Sequence, residues 1–123
     1  LKLDCRVFDM SPVNARDPFD LAEKIDVVVI DVSFISSTKI LPNIIPHIKA
    51  GSKVFVLFKP QFEGQRHNLN NQGVVIKKYY DQIFDTFKDK VRSLNFEIIN
   101  QSDAKIIGKK GNKEKILQLQ YLP

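Results

Sequence analysis

The sequence predicts an α/β fold, a sheet of mainly parallel strands that ends in an antiparallel strand. Three observations carry this. Ile25–Ile30 (IDVVVI) and Val54–Phe58 (VFVLF) are nearly continuous apolar runs, rich in β-branched residues, the pattern of parallel strands covered on both faces. Apolar residues at helical spacing follow each run. Ile116–Leu122 (ILQLQYL) then alternates with period two, as a half-exposed strand does.

Taken in order, Leu1–Phe8 (LKLDCRVF) alternates and reads as a short strand. Asp9–Asp20 holds two prolines and reads as a loop. After the Ile25–Ile30 strand, Ile40, Leu41, Ile44, Ile45 and Ile48 fall on one helical face. Ser36 or Ser37 is placed to cap it, Pro42 and Pro46 keep it short or kinked, and Gly51 stops it. Gln61–Val75 is a long polar loop, a length usually kept for function. Lys77–Leu94 is an amphipathic helix whose stripe is Tyr80, Ile83, Phe84, Phe87, Val91 and Leu94. Phe96–Ile99 is a short strand, Ser102–Lys115 a basic loop, and Ile116–Leu122 the last strand, antiparallel at or near an edge.

The chain has 123 residues, enough for one domain. Its hydrophobic content of 43% supports a core and argues against wholesale disorder. No apolar run approaches a membrane span, and no signal peptide is evident. Cys5 stands alone, so no internal disulfide forms, in keeping with a cytoplasmic protein. The first residue is Leu1 rather than methionine, and the chain reads as a piece of a longer protein. The net charge of +5, from 19 basic and 14 acidic residues, suits a polyanion such as RNA. It equally suits a plain lysine-rich surface.

The functional signal lies where strands end. In an open α/β sheet, ligands bind at the carboxyl ends of the strands. Asp31 follows the first buried strand, Lys59 the second, and Glu114 precedes the last, which is the same edge if that strand runs antiparallel. Burial disfavours a lysine's charge and neighbouring carboxylates favour it. The balance decides whether a lysine can serve as a base. Each residue taken alone is more often a solvated strand boundary; the case rests on three at one edge.

The local sequences sharpen this. Asp31–Ser36 (DVSFIS), Lys59–Glu63 (KPQFE), Asn14–Arg16 (NAR), Gly73–Val75 (GVV) and Gly108–Glu114 (GKKGNKE) resemble, in order and spacing, the motifs of the hemolysin-A-like (TlyA-type) ribosomal RNA 2′-O-methyltransferases. The resemblance implies a partial Rossmann-like, S-adenosylmethionine-dependent methyltransferase sheet, with helices on both faces and an antiparallel C-terminal strand. It implies that residues 1–123 are the C-terminal part of an FtsJ-like domain. The first strand, the glycine-rich cofactor loop, the first lysine of a Lys-Asp-Lys-Glu tetrad and any S4-type RNA-binding domain would lie upstream. Asp31, Lys59 and Glu114 would be the other tetrad members. Lys59 would assist deprotonation of a ribose 2′-hydroxyl, and Asp31 and Glu114 would hold it. Asp31 and Asn14, and less directly Arg16, would lie by S-adenosylmethionine. Lys105, Lys109, Lys110 and Lys113 would follow RNA phosphates.

Two positions depart from the family pattern. Lys115 stands where an aromatic residue is usual, and Ser102-Asp103-Ala104 matches the family's Ser-Pro-Ile poorly. The isolated 123 residues are expected to be inactive, and either to dimerise through the Ile25–Ile30 edge, to pair with the upstream part, or to be only marginally stable. Two other functions compete. One is a non-catalytic RNA-binding remnant. The other is a receiver-like phosphoacceptor domain, whose aspartate and Lys-Pro also follow buried strands.

Overall fold

A computed structural model describes residues 3–105 and 111–123. Four strands, β1 (Ile25–Ile30), β2 (Ile48–Phe58), β3 (Phe96–Asp103) and β4 (Lys115–Tyr121), form one sheet in the order β1-β2-β4-β3. β1 and β2 are parallel, while β4 runs antiparallel to both β2 and β3. The α/β architecture with an antiparallel last strand is therefore as the sequence predicts. β4 sits inside the sheet, and β3 forms the edge beyond it.

The predicted kinked helix after β1 is three short pieces: a 3-10 turn at Ser37–Lys39, α1 (Leu41–Ile44), and a second 3-10 turn at Ile45–His47. Pro42 and Pro46 account for the breaks, since each lacks an N–H for a helix interior. Ser36 is the N-cap, its Oγ accepting from the Thr38 N–H. Gly51 does not end a helix. It lies in β2 at φ +85°, where β2 bulges by several residues against β1 before the register settles at Val27↔Lys53. α2 (Pro60–Glu63) is a single turn, and α3 (Tyr80–Ser93) is the amphipathic helix, entered through a 3-10 turn at Lys77–Tyr79.

Leu3–Phe8 is not a strand. The Asp4 carboxylate accepts from the Arg6 backbone N–H and guanidinium, and this local turn replaces strand pairing.

The core lies on one face of the sheet. Val54, Val56 and Phe58 of β2, Leu117 and Leu119 of β4 and Phe96 of β3 meet Leu41 and Ile44 of α1 and Ile83, Phe84, Phe87 and Val91 of α3. Phe58 is fully buried, its ring centroid 4.9 Å from Phe84 and 5.0 Å from Phe87. The other face, which the sequence predicts to be helix-covered as well, is open among the described residues. Val29 is 73% exposed there, and Val27 and Ile116 are exposed too. Alternation puts these three on the side opposite the core.

Candidate active site

Parallel pairing of β1 with β2 brings the chain after Ile30 and the chain after Phe58 to one edge. The antiparallel register Phe58↔Lys115 brings Glu114 to that same edge. Asp31, Lys59 and Glu114 thus converge because of strand direction, though they are far apart in sequence.

Two of the three touch. Lys59 Nζ lies 2.6 Å from Asp31 Oδ1 and donates to Ser33 Oγ at 3.2 Å. The pair is asymmetric: the lysine side chain is 14% exposed and the aspartate 61%. Pro60 is buried and opens α2 directly after Lys59, which stiffens the turn carrying the lysine. Glu114 pairs differently. Its Oε2 accepts from Gln61 Nε2 at 3.0 Å, and among the described residues its carboxylate forms no ion pair with Lys59.

α2 also carries Glu63 back to the loop after β1. Glu63 Oε1 accepts from the Ser37 backbone N–H at 3.0 Å and from Ser37 Oγ at 3.1 Å, and Oε2 accepts from Ser36 Oγ. Burial pushes the Glu63 carboxyl above its ordinary range, and the three serine hydrogen bonds oppose this only in part. Gly64 lets α2 press onto α3, because a Cβ there would sit 2.7 Å from Ile83 Cδ1. Buried Asn112 joins the two glycine motifs: its Oδ1 accepts from the Val75 N–H at 2.9 Å and its Nδ2 donates to the Gly73 carbonyl at 3.1 Å. Gln61, Glu63 and Asn112 are the site residues that sequence reasoning missed. Each lay inside a recognised motif, and nothing in a linear pattern marks a polar side chain as an internal tie.

At the mouth of the site Phe34 is 90% exposed at φ +64°, with its ring centroid 5.0 Å from that of Phe62. A bulky side chain in the left-handed region is strained. Its open ring offers a surface of the kind on which bases stack.

The other predicted residues are more dispersed. Asn14 Oδ1 accepts from the Arg16 N–H, and the neighbouring Ala15 carbonyl is bonded by Asn43 Nδ2, so the NAR turn is tied to α1. Among the described residues no side-chain hydrogen bond joins Asn14 to Asp31. Lys105 and Lys113 are exposed; Lys109 and Lys110 lie outside the described residues. The two departures from the family pattern compensate each other. Lys115 Nζ is 2.7 Å from Asp103 Oδ1 and 5.5 Å from the centre of the Phe84 ring. That hydrogen bond raises the Lys115 pKa and lowers that of Asp103.

A cavity of about 410 Å³ opens beside this edge, among Val74, Val75, Lys77, Tyr80, Asn112 and Lys113. A second, of about 330 Å³, includes Glu114 itself. Another hollow, of about 500 Å³, runs along Val7–Val13 and includes none of the edge residues. Among the described residues no three His, Cys, Asp or Glu side chains are grouped as a metal site.

Comparison with known proteins gives this edge its context. The model of the FtsJ-like methyltransferase family matches residues 3–121. The chain belongs to the FtsJ-like methyltransferase family. This FtsJ-like domain is 33% identical over 118 residues to hemolysin A of Brachyspira hyodysenteriae, covering 93% of the chain and 49% of that protein. It is 35% identical over 77 residues to the 16S/23S rRNA (cytidine-2′-O)-methyltransferase TlyA of Mycobacterium tuberculosis, covering 61% of the chain and 29% of that protein. Among solved structures, a candidate hemolysin from Lactococcus lactis superposes with a TM-score of 0.87 at 29% identity, over 96% of this chain and 58% of that one. The FtsJ-like domain thus spans about half or less of the length of these curated relatives. Among the described residues no helix is long and apolar enough to cross a membrane.

Proposed function

We propose that this chain forms the reaction edge of an S-adenosylmethionine-dependent enzyme that methylates ribose 2′-hydroxyls of ribosomal RNA in the cytoplasm. The observation that carries the reading is the Lys59–Asp31 pair at the carboxyl edge of β1 and β2, with Glu114 delivered beside it by β4. Family membership supports methyl transfer, and the name of the TlyA relative supports the ribose hydroxyl.

The residues fit the methyl donor in one respect that can be checked. Asp31 is largely open to solvent and uses Oδ1 on Lys59, while no described donor is bonded to Oδ2. That oxygen is available to a cationic ligand. S-adenosylmethionine, when bound, supplies an electrophilic methyl carbon. Lys59 Nζ, oriented by Asp31 and Ser33, would first release a proton to solvent from its ion-paired ammonium form and then, as the neutral amine, would receive the proton of the 2′-hydroxyl. Asp31 stabilises the resulting ammonium, and orientation of the hydroxyl for in-line attack supplies much of the rate. Asn14 stands on the donor side. Lys105 and Lys113, with Lys109 and Lys110, would meet phosphates. In the intact protein the open β1 edge and the apolar face beside it are covered, by upstream chain or by a second copy.

The test is transfer of labelled methyl from S-adenosylmethionine to unmodified ribosomal subunits by the intact protein and by its Lys59→Ala variant. Transfer that vanishes in the variant is expected. Transfer that survives refutes the role given to Lys59. A folded protein that binds RNA but transfers nothing refutes the enzyme in favour of a binding remnant.

A further inference from the structure

The four-residue helix α2 has an arm on each side. Glu63 reaches the loop after β1, where it accepts from Ser36 and Ser37. Gln61 reaches the residue before β4, donating to Glu114. Lys59 is the residue from which α2 springs, and its carbonyl accepts from the Phe62 N–H at 3.0 Å. One turn of helix therefore touches the loop that follows β1, the end of β2 and the residue before β4. We infer that Gln61 and Glu63 are positioning residues that brace Asp31, Lys59 and Glu114 relative to one another. The inference rests on the proposed function for its kinetic consequences, though not for its geometry.

Three observations support a brace over incidental packing. The two arms point to opposite sides of Lys59, so neither can relax without releasing one flank of the site. The serine ends are themselves anchored: Ser36 caps the turn that leads into α1, and Ser37 is buried. Both ends of α2 are confined: Pro60 at its start is buried, and at its C-cap a Cβ on Gly64 would meet Ile83 Cδ1 at 2.7 Å. Gln61 also has a buried Oε1 without a described partner. Its amide nitrogen is the end on the Glu114 carboxylate, as the chemistry of donor and acceptor requires.

The experiment uses the intact protein with Gln61→Ala, Glu63→Ala and Glu63→Gln. Steady-state methyl transfer is split into kcat and KM for RNA, and backbone amide exchange is followed across residues 31–38. Glu63→Ala is expected to lower kcat on the order of 10- to 100-fold, with KM for RNA changing less than about 2-fold. Glu63→Gln restores most of kcat, because its amide can still accept from Ser37 and can donate to Ser36 Oγ. Gln61→Ala lowers kcat by about tenfold, and adds little in a Glu114→Ala background, as expected for residues acting as a unit. Amide exchange at residues 31–38 rises at least about tenfold in Glu63→Ala and not in Gln61→Ala. Unchanged exchange overturns the Glu63 arm. Multiplicative loss from Gln61→Ala and Glu114→Ala overturns the Gln61 arm. A wild-type protein that transfers no methyl refutes the proposed function, and the exchange data still decide the brace.

Discussion

The unequal burial of the Lys59–Asp31 pair predicts unequal costs for its two members. Replacing Lys59 by Met removes the charge that is 14% exposed and keeps the apolar stem, and the Asp31 left behind is 61% exposed and can be hydrated. The loss is that of an exposed pair, at most about 1 kcal/mol. Replacing Asp31 by Asn leaves a mostly buried ammonium with Ser33 Oγ as its described partner. Breaking a fully buried pair costs about 3–5 kcal/mol. Because this site opens to water on the Asp31 side, about 1–2 kcal/mol is expected. Urea unfolding of the intact protein resolves the difference, since 1 kcal/mol moves the midpoint by roughly 0.3–1 M. Both variants lower kcat by about 10²–10⁴, the worth of a positioned acid–base group. Lys59→Met therefore separates activity from stability and Asp31→Asn does not. Equal costs, or a larger cost for Lys59→Met, would refute the reasoning from burial.

Three further outcomes follow from the fold. Glu63 has its carboxyl raised in the folded state above its ordinary 4.5. The native state therefore holds this proton to higher pH than the unfolded state, and the contribution of Glu63 to stability falls as pH rises from about 4.5 through the folded value. Denaturation midpoints of wild type and Glu63→Gln measured over that range should show the wild type losing ground as pH rises; a constant gap would contradict it. Asn112→Ala strips partners from the Val75 N–H and the Gly73 carbonyl and should cost about 1–3 kcal/mol, with faster amide exchange at Val75; unchanged exchange there would show that the tie is dispensable. Val29→Lys puts a charge on an open apolar face. If the face is covered by a second copy, sedimentation should show fewer dimers with little change in fold; if upstream chain covers it, the variant should be destabilised instead. A monomer of wild-type stability would leave the face uncovered and refute both.

Some of this protein was legible in its sequence alone. The apolar runs of β1 and β2, the period-two pattern of β4 and the stripe of α3 are local signals, because burial writes its periodicity directly into residue order. The motifs around Asp31, Lys59 and Glu114 likewise identified the family and placed three charges at strand ends. Tertiary structure decided the rest. Whether Leu3–Phe8 becomes a strand depends on a neighbouring strand, and without one the Asp4–Arg6 turn forms instead. Which acid touches the lysine depends on side-chain reach across the edge: Asp31 meets Lys59, while Glu114 is held by Gln61. The compensating pair of Lys115 and Asp103 is invisible until β3 and β4 are in register. Residue order records which side chains prefer to be buried; only the packed chain determines which polar groups end within 3 Å of one another.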